Sequence, residues 1–346
     1  MKSKLEKYSK VIPFFVWSLL FLNSACSRVS EFPSVSLQTH RSFSGISLEN
    51  EGNPAILSDI LFTEKGDLAT LERDSGRVSI FQDGAEKQTF IYQISDSKPA
   101  VAVAMNECRG IFSVLDLQTS SLFHWRSNGR LLALKSIIPP ATSQHITFAK
   151  NGDFYSSSEG VGDKNFILHY NEKGLLQDTV GTKTSPVIIS HDKQNLAKQL
   201  AQGQVPDAFA DSVLLAANSS NRLYILYRNK PVLQCFQDGI LQFEKILHFP
   251  ELARIKEAIS VRNNLISVEN HYIPMSYWND FILTDDGEIY ILLALQNRPV
   301  IYKLDQNGNV QHRFLGATGK GHLLAVASGK IAIADAISGK VTLYKI

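Results

Sequence analysis

Cysteine is scarce in this chain, with three in 346 residues, at positions 26, 108 and 235. So few thiols exclude a disulfide framework. Cys108 and Cys235 are read as separate, buried, unpaired thiols. An excess of one charge is also missing. Thirty-five Lys and Arg against 33 Asp and Glu leave a formal net charge of +2. That excludes the strongly basic footprint of a nucleic-acid binder. No apolar run reaches the ~20 residues a membrane-spanning helix needs. The chain also has no Gly-rich phosphate loop, no zinc-binding Cys pair, no His-Glu-x-x-His and no Gly-x-Ser-x-Gly. No catalytic residue is assigned, and the first expectation is a protein that binds rather than catalyses.

The N-terminus carries an export signal. Lys2, Lys4, Lys7 and Lys10 precede an apolar stretch from Val11 to Leu22, and Asn23-Ser24-Ala25-Cys26 follows. A basic start, a short apolar core and small residues before a cleavage point mark a secretory leader. Small residues directly before Cys26 resemble a bacterial lipobox, of the relaxed type found in spirochaete lipoproteins. Leu22 lies one place further from the Cys than in the enteric pattern. The resemblance implies a signal peptide over 1–25, lipidation of Cys26, and a tether over 26–34. It also implies an outer-membrane lipoprotein held by its acyl chains, on the periplasmic or the surface side.

The mature chain is repetitive. One phrase recurs as Val78-Ser-Ile-Phe-Gln-Asp-Gly84, Leu122-Phe-His-Trp-Arg-Ser-Asn-Gly129, Ile167-Leu-His-Tyr-Asn-Glu-Lys-Gly174, Val232-Leu-Gln-Cys-Phe-Gln-Asp-Gly239 and Val300-Ile-Tyr-Lys-Leu-Asp-Gln-Asn-Gly308. A sixth copy, Val341-Thr-Leu-Tyr-Lys-Ile346, stops at the last residue. Each complete copy is a short strand run into a Gly-closed turn, a hairpin signal. A second phrase, such as Ile60-Leu-Phe-Thr-Glu-Lys-Gly-Asp-Leu68 or Phe281-Ile-Leu-Thr-Asp-Asp-Gly-Glu-Ile289, opens most units. Two hairpins make four strands per unit, the grammar of a propeller blade. The closing glycines are 45, 45, 65 and 69 residues apart, so two intervals hold insertions. The chain resembles six-bladed, NHL-type β-propellers. The expectation is an all-β, six-bladed β-propeller over 35–346 with two short helical insertions. Val35–Phe43 supplies the missing outer strand of the last blade.

The insertions fall at 186–205, with a helix read from Ser190 through Leu196, Ala197 and Leu200, and at 250–274. In the second, Leu252, Ile255 and Ile259 keep helical spacing after Pro250, and 261–268 reads as an extra strand. His271, Tyr272, Tyr277 and Trp278 follow as an aromatic run at a channel mouth, with rings suited to stacking on a ligand. Counting seven residues back from each first-hairpin glycine gives Asp59, His145, Asp280 and His322, with Val103 breaking the pattern and Asp211 placed loosely in the fourth unit. Such a ring of imidazole and carboxylate would suit a divalent metal, the one cofactor candidate. A metal-dependent lactonase, lyase or hydrolase is therefore the alternative to a binding or scaffold module for a protein or glycan partner.

Overall fold

A computed structural model describes residues 32–46, 56–91, 100–136, 143–158, 165–183, 199, 202, 204–205, 209–218, 220–265, 273–327 and 329–346. They form six sheets arranged as a six-bladed β-propeller. Cys26, the reading of 186–198 and the pair His271 and Tyr272 lie outside the described residues.

Each blade runs from an inner to an outer strand. Blade one is β3 (Leu57–Phe62), β4 (Leu68–Glu72), β5 (Arg77–Gln82) and β6 (Ala85–Ile91). Blade two is β7 (Ala102–Cys108), β8 (Ile111–Asp116), β9 (Ser121–Arg126) and β10 (Leu131–Ser136). Blade three is β11 (Ser143–Phe148), β12 (Phe154–Ser158), β13 (Asn165–Tyr170) and β14 (Leu176–Thr182). Blade four is β15 (Val213–Ala217), β16 (Arg222–Tyr227), β17 (Val232–Gln237) and β18 (Ile240–Ile246). Blade five is β19 (Trp278–Leu283), β20 (Ile289–Leu293), β21 (Val300–Leu304) and β22 (Val310–Leu315). Blade six has β23 (Leu323–Ala327), β24 (Lys330–Ala334) and β25 (Lys340–Lys345).

The repeated turns form as their sequence dictates. Asp83-Gly84 and Asp238-Gly239 are two-residue loops with both φ values positive, 46° and 78° in the first and 50° and 76° in the second. Such loops match the right-handed twist of a hairpin, and Asp and Gly tolerate the left-handed region. The second strands are buried along their length rather than on alternate residues, in several blades. In Leu68–Glu72 and Ile289–Leu293 every residue is buried. A strand read this way is covered on both faces, here by the neighbouring blades. Six buried clusters result, one at each blade junction: one–two, two–three, three–four, four–five, five–six and six–one.

The junction of blade six with blade one closes the ring. The expected N-terminal strand is there, and it is divided. β1 (Ser34–Ser36) adds to blade five, parallel to β22, with Ser34 opposite Arg313. β2 (Gln38–Ser44) then completes blade six, antiparallel to β25, with Phe43 opposite Val341. Between them Leu37 is buried in the five–six core, and its N–H donates to the Leu315 carbonyl at 2.9 Å. Phe43 packs on Phe81 of blade one, ring centroids 4.9 Å apart. One segment thus touches blades five, six and one.

The connection from blade four to blade five carries α1 (Leu252–Leu265). The helix starts where Pro250 and the Leu252/Ile255/Ile259 spacing place it. It corrects the reading of 261–268 as a strand, because Val261–Leu265 continues the helix. Ile255 drives that choice by burying against the four–five core, alongside Leu252 and Ile259.

Cys108 and Cys235 are not joined by a disulfide. Cys235 is buried, as expected, while Cys108 is only partly covered, at the edge of a tight turn. Among the described residues no helix is long and apolar enough to cross a membrane.

Candidate functional site

In every blade the inner strand starts at one end of the ring and turns into the second strand at the other, where blades one to five also carry the turn into their outer strand. The polar positions read from the sequence are at the strand-start end. Three of them share one register position. Asp59 is opposite Leu71, Asp280 is opposite Leu292, and His145 precedes Ile146, which is opposite Ser156. In each of these strands the pairing slips just before or at that point. A bulge re-aims the side chain there.

Each of the three reaches the next blade rather than the channel axis. Asp59 Oδ2 accepts the Met105 N–H at 2.8 Å, and Oδ1 accepts the N–H of Ile60 at 2.8 Å. Asp280 repeats this with the Leu324 N–H at 2.6 Å and the Phe281 N–H at 2.7 Å. His145 Nδ1 accepts the Leu215 N–H at 3.1 Å. Blade one is stapled to two, three to four and five to six. The receiving blades have Ala104, Leu214 and Leu323 before the donating amide, so polar and apolar blades alternate around the ring. Six blades thereby carry a threefold pattern.

His322 and Asp211 do not join it. His322 sits just before β23 and its Nδ1 is 3.0 Å from Asp335 Oδ1 within its own blade. Asp211 is buried ahead of β15, and the register puts Leu214 at the ring position of blade four. The count from glycine misled because the turns differ in length. β7 to β8 turns in two residues, β3 to β4 in five.

Burial at the wall of the channel sets the titration of these groups. It raises Asp59 to about 7, helped by the charge of Asp280 and opposed by the Met105 amide. It raises Asp280 to about 6, opposed by the amides of Leu324 and Phe281. It lowers His145 to about 3, with the Arg228 cation adding to the effect. The cause is desolvation of a charged form in each case.

The expected metal ring is corrected by this geometry. Carboxylate oxygens and an imidazole nitrogen that would face an ion instead accept backbone N–H groups. Among the described residues no group of three or more His, Cys, Asp or Glu side chains is placed to hold a metal. Fixing two blades together is what these side chains do.

The aromatic run also divides. Trp278 is fully buried, and its Nε1–H donates to the Tyr227 carbonyl at 2.7 Å. It is a packing residue between blades four and five and offers no stacking face. Tyr277 is half-buried beside it, centroids 5.7 Å apart, and burial raises its hydroxyl pKa.

The same end of the ring carries α1, in the connection from β18 to β19. Two polar clamps fix it. At its start Glu251, 5% exposed, accepts Arg313 Nε–H at 2.9 Å and the Tyr302 hydroxyl at 2.9 Å. Near its end Asn263 pairs twice with the Ile273 backbone, at 2.9 and 3.0 Å. The face of the helix turned away from the ring is open. Val261 and Leu265, one turn apart, are 51% and 79% exposed, and Arg254, Glu257 and Arg262 are exposed around them.

No family model matches the chain, and no curated protein matches it. Solved structures resemble it in fold alone. A catalytically inactive virginiamycin B lyase from Staphylococcus aureus with quinupristin is 10% identical, with a TM-score of 0.52 over 88% of this chain and 99% of that one. The selenomethionine form of virginiamycin B lyase from the same organism is 13% identical, with a TM-score of 0.50 over 88% of each chain. The WD40 domain of Neurospora crassa Pan2 is 9% identical, with a TM-score of 0.51 over 90% of this chain and 94% of that one. An enzyme and a WD40 domain thus share the architecture, and the chain is a six-bladed β-propeller whose fold alone selects neither role.

Proposed function

We propose that this chain is an exported lipoprotein, acylated at Cys26 and held at the outer membrane, whose propeller is a non-catalytic docking module for a protein partner. The partner face is the strand-start end of the ring, centred on α1. One observation carries the reading: α1 is clamped at both ends by buried polar side chains while Val261 and Leu265 stay open to solvent. Apolar side chains on a rigid, preorganised helix suit a partner, because little conformational freedom is lost on binding. The staples support the same reading, since Asp59, His145 and Asp280 are engaged with backbone amides.

The test is capture from detergent extracts with the acylated protein. Wild type recovers a defined protein, and the double variant Val261→Glu with Leu265→Glu loses it while melting at the same temperature. Equal recovery by both forms rules out α1 as the docking element.

A further inference from the structure

The junction that closes the ring carries a basic cleft at the end opposite α1, where the inner strands turn. In blade six Lys330 opens β24 and Lys345 ends β25, and the register sets the two directly opposite each other. Ala327 and Gln38 complete the row on either side, so it holds two ammonium groups and no carboxylate. Residues directly opposite share a face, and like charges placed this way repel. Strand alternation puts both lysines on the face of Ala332, Ala334 and Leu343, which belong to the core between blades six and one. Across that junction Lys65 stands on the turn from β3 to β4. Lys65 and Lys345 are exposed and Lys330 is half-buried. All three line one cleft of about 570 Å³, part of it open to solvent, and Phe62, Leu68 and Leu343 give it an apolar wall.

The charge of these lysines is not offset inside the cleft. Among the described residues none of their ammonium groups has an ion-pair or hydrogen-bond partner. Two carboxylates share the lining, Asp67 and Asp83. Asp67 Oδ2 is held by Lys87 Nζ at 3.0 Å. Asp83 has Arg41 at its side, whose guanidinium donates to the Asp83 carbonyl. Each carboxylate therefore has a cation of its own, and three positive charges are left over. Their repulsion costs stability, and a bound anion removes it.

We propose that this cleft binds a small, soluble organic phosphate. A carboxylate brings a single negative charge to three ammonium groups. A phosphomonoester brings ~1.5–2 at neutral pH and three acceptor oxygens, one for each lysine. Lysine meets phosphate as a point charge and needs no fork geometry. Phe62, Leu68 and Leu343 take the organic part, the division of apolar wall and few polar groups usual in a ligand site. The ligand bridges blades six and one, so binding also tightens the closure of the ring.

The experiment titrates the full, processed chain at low salt with phenyl phosphate, benzoate and dihexanoyl phosphatidic acid, read by calorimetry. Phenyl phosphate should bind saturably, more tightly than the other two, and raise the melting temperature. Lys65→Gln, Lys330→Gln and Lys345→Gln should each weaken it about fivefold. Lys320→Gln removes the same charge from an exposed position before β23, at the other end of the ring, and should leave the affinity unchanged. Without ligand, Lys345→Gln should melt above wild type, because it relieves the opposed pair. No saturable binding of phenyl phosphate, equal affinity for benzoate, or an equal loss in Lys320→Gln overturns the phosphate site. A Lys345→Gln protein that melts no higher than wild type contradicts the stored repulsion. Tighter binding of the phosphatidic acid overturns the soluble ligand in favour of a lipid headgroup.

Discussion

Asp59 on blade one accepts the N–H of Met105 on blade two at 2.8 Å. The bond crosses a blade junction near the start of the inner strands, and His145 and Asp280 make its counterparts two and four blades around the ring. Blade junctions rest largely on apolar contact, which is not directional, with further polar bonds such as Trp278 to the Tyr227 carbonyl and the Tyr224 hydroxyl to the Gln306 carbonyl. The staples add direction, and fix how far one blade slides against the next.

Removing a staple acceptor leaves a backbone N–H without its partner. Asp59→Ala and Asp280→Ala should each cost ~1–3 kcal/mol, and Asp59→Asn, which keeps one acceptor oxygen, should cost less. Chemical denaturation at fixed pH reads the difference. Alanine variants as stable as wild type would show that the bonds carry no weight.

The staples also predict an unusual pH dependence. A carboxyl with a raised folded pKa stabilises fully below its unfolded value and loses that contribution as pH rises through the folded one. Asp280 and Asp59 should therefore weaken the fold as pH climbs from about 4 through 6 and 7. His145, lowered to about 3, works the other way: its contribution is present above pH 6.5 and drains as pH falls toward 3. Stability profiles of Asp59→Asn and His145→Asn separate the two. The first should flatten the neutral side, the second the acid side; unchanged slopes in both would contradict the assigned shifts.

Glu251 ties α1 to blade five through Arg313 and Tyr302. Glu251→Gln should loosen the first turns of the helix without opening the ring, at a cost of ~1–3 kcal/mol. Hydrogen exchange should quicken in residues 252–256 and stay unchanged in β20. Protection that remains at wild-type level along the helix would mean that Ile255 and Leu252 hold α1 unaided.

Residues 34–44 close the ring. Deleting them exposes the edges of β22 and β25 and uncovers the five–six and six–one cores. A variant lacking 34–44 should melt at a markedly lower temperature and with lower cooperativity, since an open sheet edge pairs with other chains. A sharp wild-type melt for this variant would refute the closure role of the strand.

Much of this molecule was legible before folding. Period and turn chemistry are local properties, so the six units, the Asp-Gly turns and the late strand supplied by the N-terminus could be read from residue order. The start of α1 was equally plain from Pro250 and its apolar spacing. The site was less so. Asp59, His145 and Asp280 stood out as polar residues on inner strands, but a side chain's partner across a blade junction depends on bulges and turn lengths that no single unit displays. Trp278 looked like a stacking surface for the same reason: its sequence neighbours are polar and aromatic, and only the junction of blades four and five buries it.

By itself the sequence determined the class of fold, the number of blades and the strand that closes them, because each follows from contacts between residues near in the chain or from a pattern repeated along it. Tertiary structure alone decided what the polar ring does, which aromatic rings are reachable, and that Lys65, Lys330 and Lys345 share one cleft. Those are relations between blades, set by how six sheets pack around an axis, and packing is a property of the assembled ring.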